Sequence, residues 1–99
     1  MPRCRFLLSL QDRSRFFDLE EGQEALIGRS LDAGFFLNAP SISRQHCVLK
    51  ATPAGLVVED LSSRRECFVN GQRAEGPTPL EDGSLLEIGG LGFTVTTCE

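Results

Sequence analysis

Ninety-nine residues, 40% of them apolar, suit one domain spanning 1–99 and exclude a second core or a disordered tail. A formal net charge of −4, with no apolar run longer than a few residues, argues against nucleic acid, an anionic membrane surface and a transmembrane span. Phe6-Leu7-Leu8 is broken at once by Ser9 and then by Gln11-Asp12-Arg13, so no secretory signal is expected, and the location is read as intracellular and cytoplasmic.

Arg5 to Leu10 alternates, with Phe6, Leu8 and Leu10 on one face, and Arg15-Phe16-Phe17-Asp18-Leu19 follows a polar break, which predicts a first hairpin. Glu20 to Glu24 reads as an acidic solvated loop. Ala25-Leu26-Ile27 is a short strand ending at Gly28, where the backbone is expected to turn sharply. Phe35-Phe36-Leu37 is another, closed by Asn38-Ala39-Pro40. His46 to Ala51 and Leu56 to Leu61 form a central hairpin about Thr52-Pro53-Ala54-Gly55, in which Leu56-Val57-Val58 is apolar enough for a strand buried on both faces. Cys67-Phe68-Val69 and Gln72-Arg73-Ala74 flank Asn70-Gly71, the strongest short hairpin signal, because a type I′ turn needs positive φ at both central residues. Leu80 to Gly83 turns into Ser84 to Ile88, and Gly89-Gly90 turns into Leu91 to Thr96. Ten or eleven short strands between turn residues predict an all-β, two-sheet sandwich.

The chemistry is carried by few residues. Arg29 offers a planar five-donor fork suited to a phosphate or carboxylate, and Ser43, fourteen residues on, is the next oxyanion donor. Positive charge is almost all arginine, with Lys50 the only lysine, and Arg29, Arg44, Arg64 and Arg65 fall in expected loops, where a local basic patch can exist within an acidic chain. Ser43 and His46 lie on one segment with no nucleophile elbow or orienting acid, so catalysis is not expected. Neither a phosphate-loop motif nor a dinucleotide fingerprint is present, and no cofactor is expected. One histidine and four scattered cysteines do not make a metal site; Cys4, Cys47 and Cys67, set beside apolar strand residues, read as buried free thiols acting as small hydrophobes.

Taken together, Ile27-Gly28-Arg29-Ser30, Pro40-Ser41-Ile42-Ser43-Arg44-Gln45-His46, Val58-Glu59-Asp60-Leu61, Phe68-Val69-Asn70-Gly71 and Leu80 to Gly89 resemble, in order and spacing, the signature segments of the forkhead-associated (FHA) domain. In Leu80 to Gly89, Ser84 stands where the family commonly has aspartate. The resemblance implies a β-sandwich whose binding loops, at one end, bind phosphothreonine. Arg29 would grip the phosphate, Ser43 would add its hydroxyl and backbone N–H, and Arg44 would contact the peptide. Gly28, His46, Asn70 and Gly71 would support the loops, with His46 structural and Asn70 shaping the hairpin behind the site. The partner so implied is a phosphothreonine-containing protein or peptide, acting downstream of a Ser/Thr kinase. Where the family usually carries Ser-Thr-Asn-Gly, this chain has Ser63-Arg64-Arg65-Glu66. Arg64 and Arg65 either supply alternative phosphate contacts, the reading preferred on their charge, or mark a loop that no longer aligns a peptide. The second case leaves an FHA-fold interaction or oligomerisation module that does not depend on phosphate.

Overall fold

A computed structural model describes residues 5–61 and 67–98. Arg64 and Arg65 lie outside the described residues, as do Cys4 and the expectations attached to them. The strands are β1 (Arg5–Leu10), β2 (Phe16–Glu20), β3 (Glu24–Gly28), β4 (Phe35–Phe36), β5 (Cys47–Thr52), β6 (Gly55–Asp60), β7 (Cys67–Val69), β8 (Gln72–Arg73), β9 (Thr78–Leu80), β10 (Leu85–Ile88) and β11 (Leu91–Cys98). They form a six-stranded sheet ordered β2-β1-β11-β10-β7-β8 and a five-stranded sheet ordered β4-β3-β5-β6-β9. The expected all-β sandwich is the fold.

Alternation drives the two layers together. Phe6 and Leu8 of β1, Phe17 and Leu19 of β2, and Phe93 and Val95 of β11 point inward from one sheet; Ile27, Leu49, Leu56 and Val58 point inward from the other. Phe17 stacks on Phe35 with ring centroids 4.5 Å apart and planes 8° apart, joining the two sheets at an aromatic contact worth about 0.5–1.5 kcal/mol beyond its buried area. Leu56 and Val58 are wholly buried while Val57 between them is only half-buried, so β6 covers the core with one face rather than two. The expectation of a strand buried on both faces is thereby corrected: β6 lies in a sandwich, whose outer faces meet solvent.

Turn chemistry sets the register. Asn70 and Gly71 adopt φ of 52° and 85°, as a type I′ turn requires, and pair Val69 with Gln72. The expected acidic loop shrinks to the turn between β2 and β3, since Glu20 and Glu24 are themselves strand residues. Ser84 is buried and its Oγ accepts from the Glu81 N–H at 2.8 Å, which closes the turn leading from β9 into β10. Those two strands belong to opposite sheets, so this connection crosses the sandwich instead of forming a hairpin. β4 runs parallel to β3, pairing Ile27 with Phe35 and Gly28 with Phe36. The strand directions bring the 28–34 and 37–46 segments, the end of β6 and the Gly89–Gly90 turn to one pole of the sandwich.

Candidate functional site

At that pole the 29–30 and 43–44 segments bond to each other. The Arg29 N–H donates to the Ser43 carbonyl at 3.0 Å, and the Ser30 N–H donates to the Arg44 carbonyl at 3.2 Å. These two bonds carry the arginine side chains to the same opening, a cleft of about 420 Å³ lined by Arg29, Ser30, Leu31, Asp32 and Arg44. Arg29 is anchored as well: its Nε donates to the Ile42 carbonyl at 3.0 Å. The guanidinium is thus fixed to the backbone at Nε, and its two terminal nitrogens make no hydrogen bond or ion pair among the described residues. Among the described residues the ion pairs are Arg5–Asp18 and Lys50–Glu59, and neither Arg29 nor Arg44 takes part in one.

Ile42 explains why this anchor holds. Its side chain is 1% exposed, a plug from the loop into the core, so the carbonyl that receives Arg29 is held by hydrophobic packing. The loop is pinned from its other side by the Gly89–Gly90 turn. A Cβ on Gly89 would stand 2.5 Å from the Ser41 carbonyl oxygen and 2.9 Å from the Ile42 side chain, and Gly89 also takes φ of 53°. Sequence reasoning passed over Ile42 and Gly89 as members of the site; an isoleucine inside a polar Pro-Ser-Ile-Ser loop was the available signal.

Gly28 supports the loops for a reason other than the one expected. It is buried at the end of β3 and lies outside the positive-φ glycines, so the chain does not turn sharply there. A Cβ at this position would collide with the Arg44 carbonyl oxygen and stand 2.7 Å from its carbon. The glycine is there to let two backbones touch.

His46 is 1% exposed and joins three segments. Its N–H donates to the Ile27 carbonyl at 2.9 Å, its carbonyl accepts from the Leu61 N–H at 2.8 Å, and its Nδ1 accepts from the Ser43 N–H at 3.1 Å. The imidazole is therefore a structural acceptor whose proton sits on Nε2, because a ring nitrogen that accepts a hydrogen bond cannot carry the proton itself. That bond has a consequence for Ser43, which is half-buried: its backbone N–H is committed to His46, so only the hydroxyl is left to serve an anion. We expect His46→Ala to lose about 2–4 kcal/mol of stability, because it opens a cavity and strands the Ser43 N–H; urea unfolding with an unchanged midpoint would contradict this.

Asn70 and Gly71 sit elsewhere. Asn70 donates its N–H to the Leu85 carbonyl at 2.8 Å and accepts from the Leu85 N–H through Oδ1, also at 2.8 Å. Among the described residues these bonds brace the corner between β7 and β10, not the arginine cleft. Leu31, Asp32 and Ser30 complete the cleft and were not anticipated; Leu31 is 89% exposed. Among the described residues no group of three His, Cys, Asp or Glu side chains could hold a metal ion, and no helix is long and apolar enough to cross a membrane.

Comparison with known proteins agrees with this architecture. The family model for the FHA domain matches residues 25–89, and the chain belongs to that family. Its structure is similar to the FHA domain of CT664 from Chlamydia trachomatis, at 27% identity and a TM-score of 0.85, covering 93% of this chain and 96% of that one. It is also similar, at 31% identity and a TM-score of 0.80, to the FhaA FHA domain solved in complex with the intracellular domain of another protein, covering 91% and 98%. A third similar structure, at 29% identity and a TM-score of 0.81 with 96% of each chain covered, comes from work on phosphothreonine-dependent FHA domain interactions. A search of curated protein sequences finds no match. A family membership of this kind makes the chain a binding module and not an enzyme.

Proposed function

We propose that the chain is an adaptor that binds phosphothreonine-containing proteins or peptides through the Arg29–Arg44 cleft, after a Ser/Thr kinase has acted on the partner. The observation that carries this reading is the convergence of two guanidiniums on one open cleft with no carboxylate ion-paired to either among the described residues. Two guanidiniums against the single Asp32 carboxylate leave the opening positive and favour an anion, and a guanidinium fork matches phosphate oxygens in pairs. Ser43, outside the cleft's lining but next to Arg44 in the chain, would offer its hydroxyl as a third donor. Support also comes from the similar structure from work on phosphothreonine-dependent FHA domain interactions, and from EmbR of Mycobacterium tuberculosis, solved in complex with a low-affinity phosphopeptide and similar to this chain over 24% of its length. The charges of Arg44, Arg64 and Arg65 bias the partner toward acidic residues. A kinase-dependent partner fits a cytoplasmic module, since nucleoside triphosphate is available to the kinase there.

Calorimetry at neutral pH with matched degenerate peptides carrying phosphothreonine, phosphoserine or threonine tests the reading. Only the phosphorylated peptides should bind, and phosphoserine should be weaker by about 0.8 kcal/mol, roughly fourfold, for the missing methyl. Equal binding of the unmodified threonine peptide would overturn it, and so would no binding at all, which favours the phosphate-independent interaction surface.

The pH dependence follows from the ligand. The second phosphate ionisation lies near ~6, and the cleft stabilises the dianion, so affinity is fully present above that value and is lost as pH falls through it. Titrations between about pH 5 and about pH 7.5 should show affinity falling toward acid. A flat profile would mean that charge on the phosphate is not what the cleft recognises.

A further inference from the structure

At the pole that carries the arginine cleft, the outer face of the six-stranded sheet holds a second hollow, of about 430 Å³. β1 ends and β2 begins there, since Leu10 pairs with Phe93 near the start of β11. Register explains the hollow. Phe16, Ser9 and Thr94 pair across β2, β1 and β11, so their side chains stand in one row. Leu8, Phe17 and Val95 are buried in the core, which sends that row outward. Ser9, Thr94 and Thr96 line the hollow with short hydroxyl side chains, beside Phe16 on the edge strand and Gln11 and Arg13 from the turn between β1 and β2.

The turn and the edge strand are built in a way that the fold alone does not require. Phe16 leaves 57% of its area exposed, although Phe17 beside it is buried. Arg13 takes φ of 62°, a left-handed backbone that favours glycine or asparagine, so an arginine there is kept at a cost to the fold. Its N–H donates to the Leu10 carbonyl at 2.8 Å, yet its guanidinium makes no hydrogen bond or ion pair among the described residues. The neighbouring charges are engaged elsewhere. The Asp12 carboxylate accepts from the Ser14 N–H at 2.9 Å, and the Arg15 guanidinium lies 4.9 Å from the centre of the Phe17 ring. Gln11 is settled against β11: its N–H donates to the Gly92 carbonyl at 2.9 Å, and a Cβ on Gly92 would stand 2.6 Å from its Oε1.

We propose that this hollow is a second binding site, which takes a partner's peptide segment carrying an acidic and an apolar side chain two residues apart. Charge complementarity selects the acid, because the unpaired Arg13 fork matches a carboxylate with two hydrogen bonds. The exposed Phe16 ring selects the apolar neighbour, since covering it removes apolar surface from water. Residues two apart in an extended chain share one face, so a single segment presents both groups together. The hydroxyls of Ser9, Thr94 and Thr96 and the Gln11 amide then serve the segment's backbone N–H and C=O groups. No phosphate is needed at this site.

Amide NMR on the isotope-labelled full chain tests this with unphosphorylated degenerate peptides that fix Glu-x-Leu, beside matched Lys-x-Leu and Glu-x-Ser sets. Glu-x-Leu should move the Gln11, Arg13, Thr94 and Thr96 amides saturably, more than either control set, and leave those of Ser30, Leu31 and Arg44 in place. Arg13→Asn and Phe16→Ser should each weaken the response about three- to tenfold. Arg13→Asn should also keep or raise the urea midpoint, because asparagine takes the left-handed backbone more readily. Absence of shifts, shifts confined to the arginine cleft, an equal response to either control set, or a lowered midpoint in Arg13→Asn would each overturn the proposal. None of the probes carries phosphate, so this site and the proposed phosphothreonine cleft stand or fall separately.

Discussion

Replacing Arg29 by alanine should remove measurable phosphothreonine-peptide binding while leaving the domain folded. The substitution takes away a guanidinium that would otherwise meet the phosphate dianion, at a cost of about 2–5 kcal/mol. That is roughly a 30-fold to several-thousandfold loss of affinity. The fold should tolerate it, since Arg29 is exposed and its internal bond is the single Nε contact to the Ile42 carbonyl, worth about 1 kcal/mol net. Calorimetry and urea unfolding on the same preparations separate the two effects. Arg29→Lys should recover only part of the binding, because an ammonium cannot keep the Ile42 carbonyl and present a planar fork at the same time. Parent-like affinity in Arg29→Ala would show that the phosphate lies elsewhere.

Gly28→Ala should act in the opposite order, on the fold first and on binding through it. The added methyl would meet the Arg44 carbonyl at a point where β3 and the 43–44 segment lie backbone against backbone. Backbone cannot rotate aside as a flexible side chain can, so the segments must part. Their parting breaks the Arg29–Ser43 and Ser30–Arg44 hydrogen bonds together. A loss of about 3 kcal/mol or more is expected, in the upper range for overpacking. Excess phosphopeptide should restore part of that loss by mass action, since only the assembled cleft binds it. A urea midpoint equal to that of the parent would mean that the close approach is not required.

What the sequence made legible depended on how local the physics was. Asn70-Gly71 declares its own turn, because positive φ at two successive positions is a property of those residues alone. Alternation in β1 and β5 likewise declares which side chains face inward. Arg29 and Ser43 were legible as a pair through spacing and residue type, and the backbone does bring them together. The rest belongs to contacts between distant segments. Gly28 looked like a turn glycine, and only the arrival of Arg44 shows that its missing Cβ makes room for a neighbour. Ser43 looked like a double donor until the ring of His46 claimed its N–H. The parallel β3–β4 pair and the crossing from β9 to β10 had no local signal, since short apolar runs do not state which partner or direction they will take. Cys47 and Cys67 read as small hydrophobes, and both are buried free thiols.

The carbonyl that steadies the Arg29 fork belongs to Ile42, whose side chain is locked in the interior. Any loosening of that interior, by heat or by substitution, reaches the ligand without altering a residue that touches it. Affinity in this module is thus partly a property of its close-packed inside, invisible to a partner that sees only charge. A lineage could weaken or sharpen its hold on phosphorylated partners through apolar substitutions around Ile42 alone, while every arginine at the cleft stayed where it is.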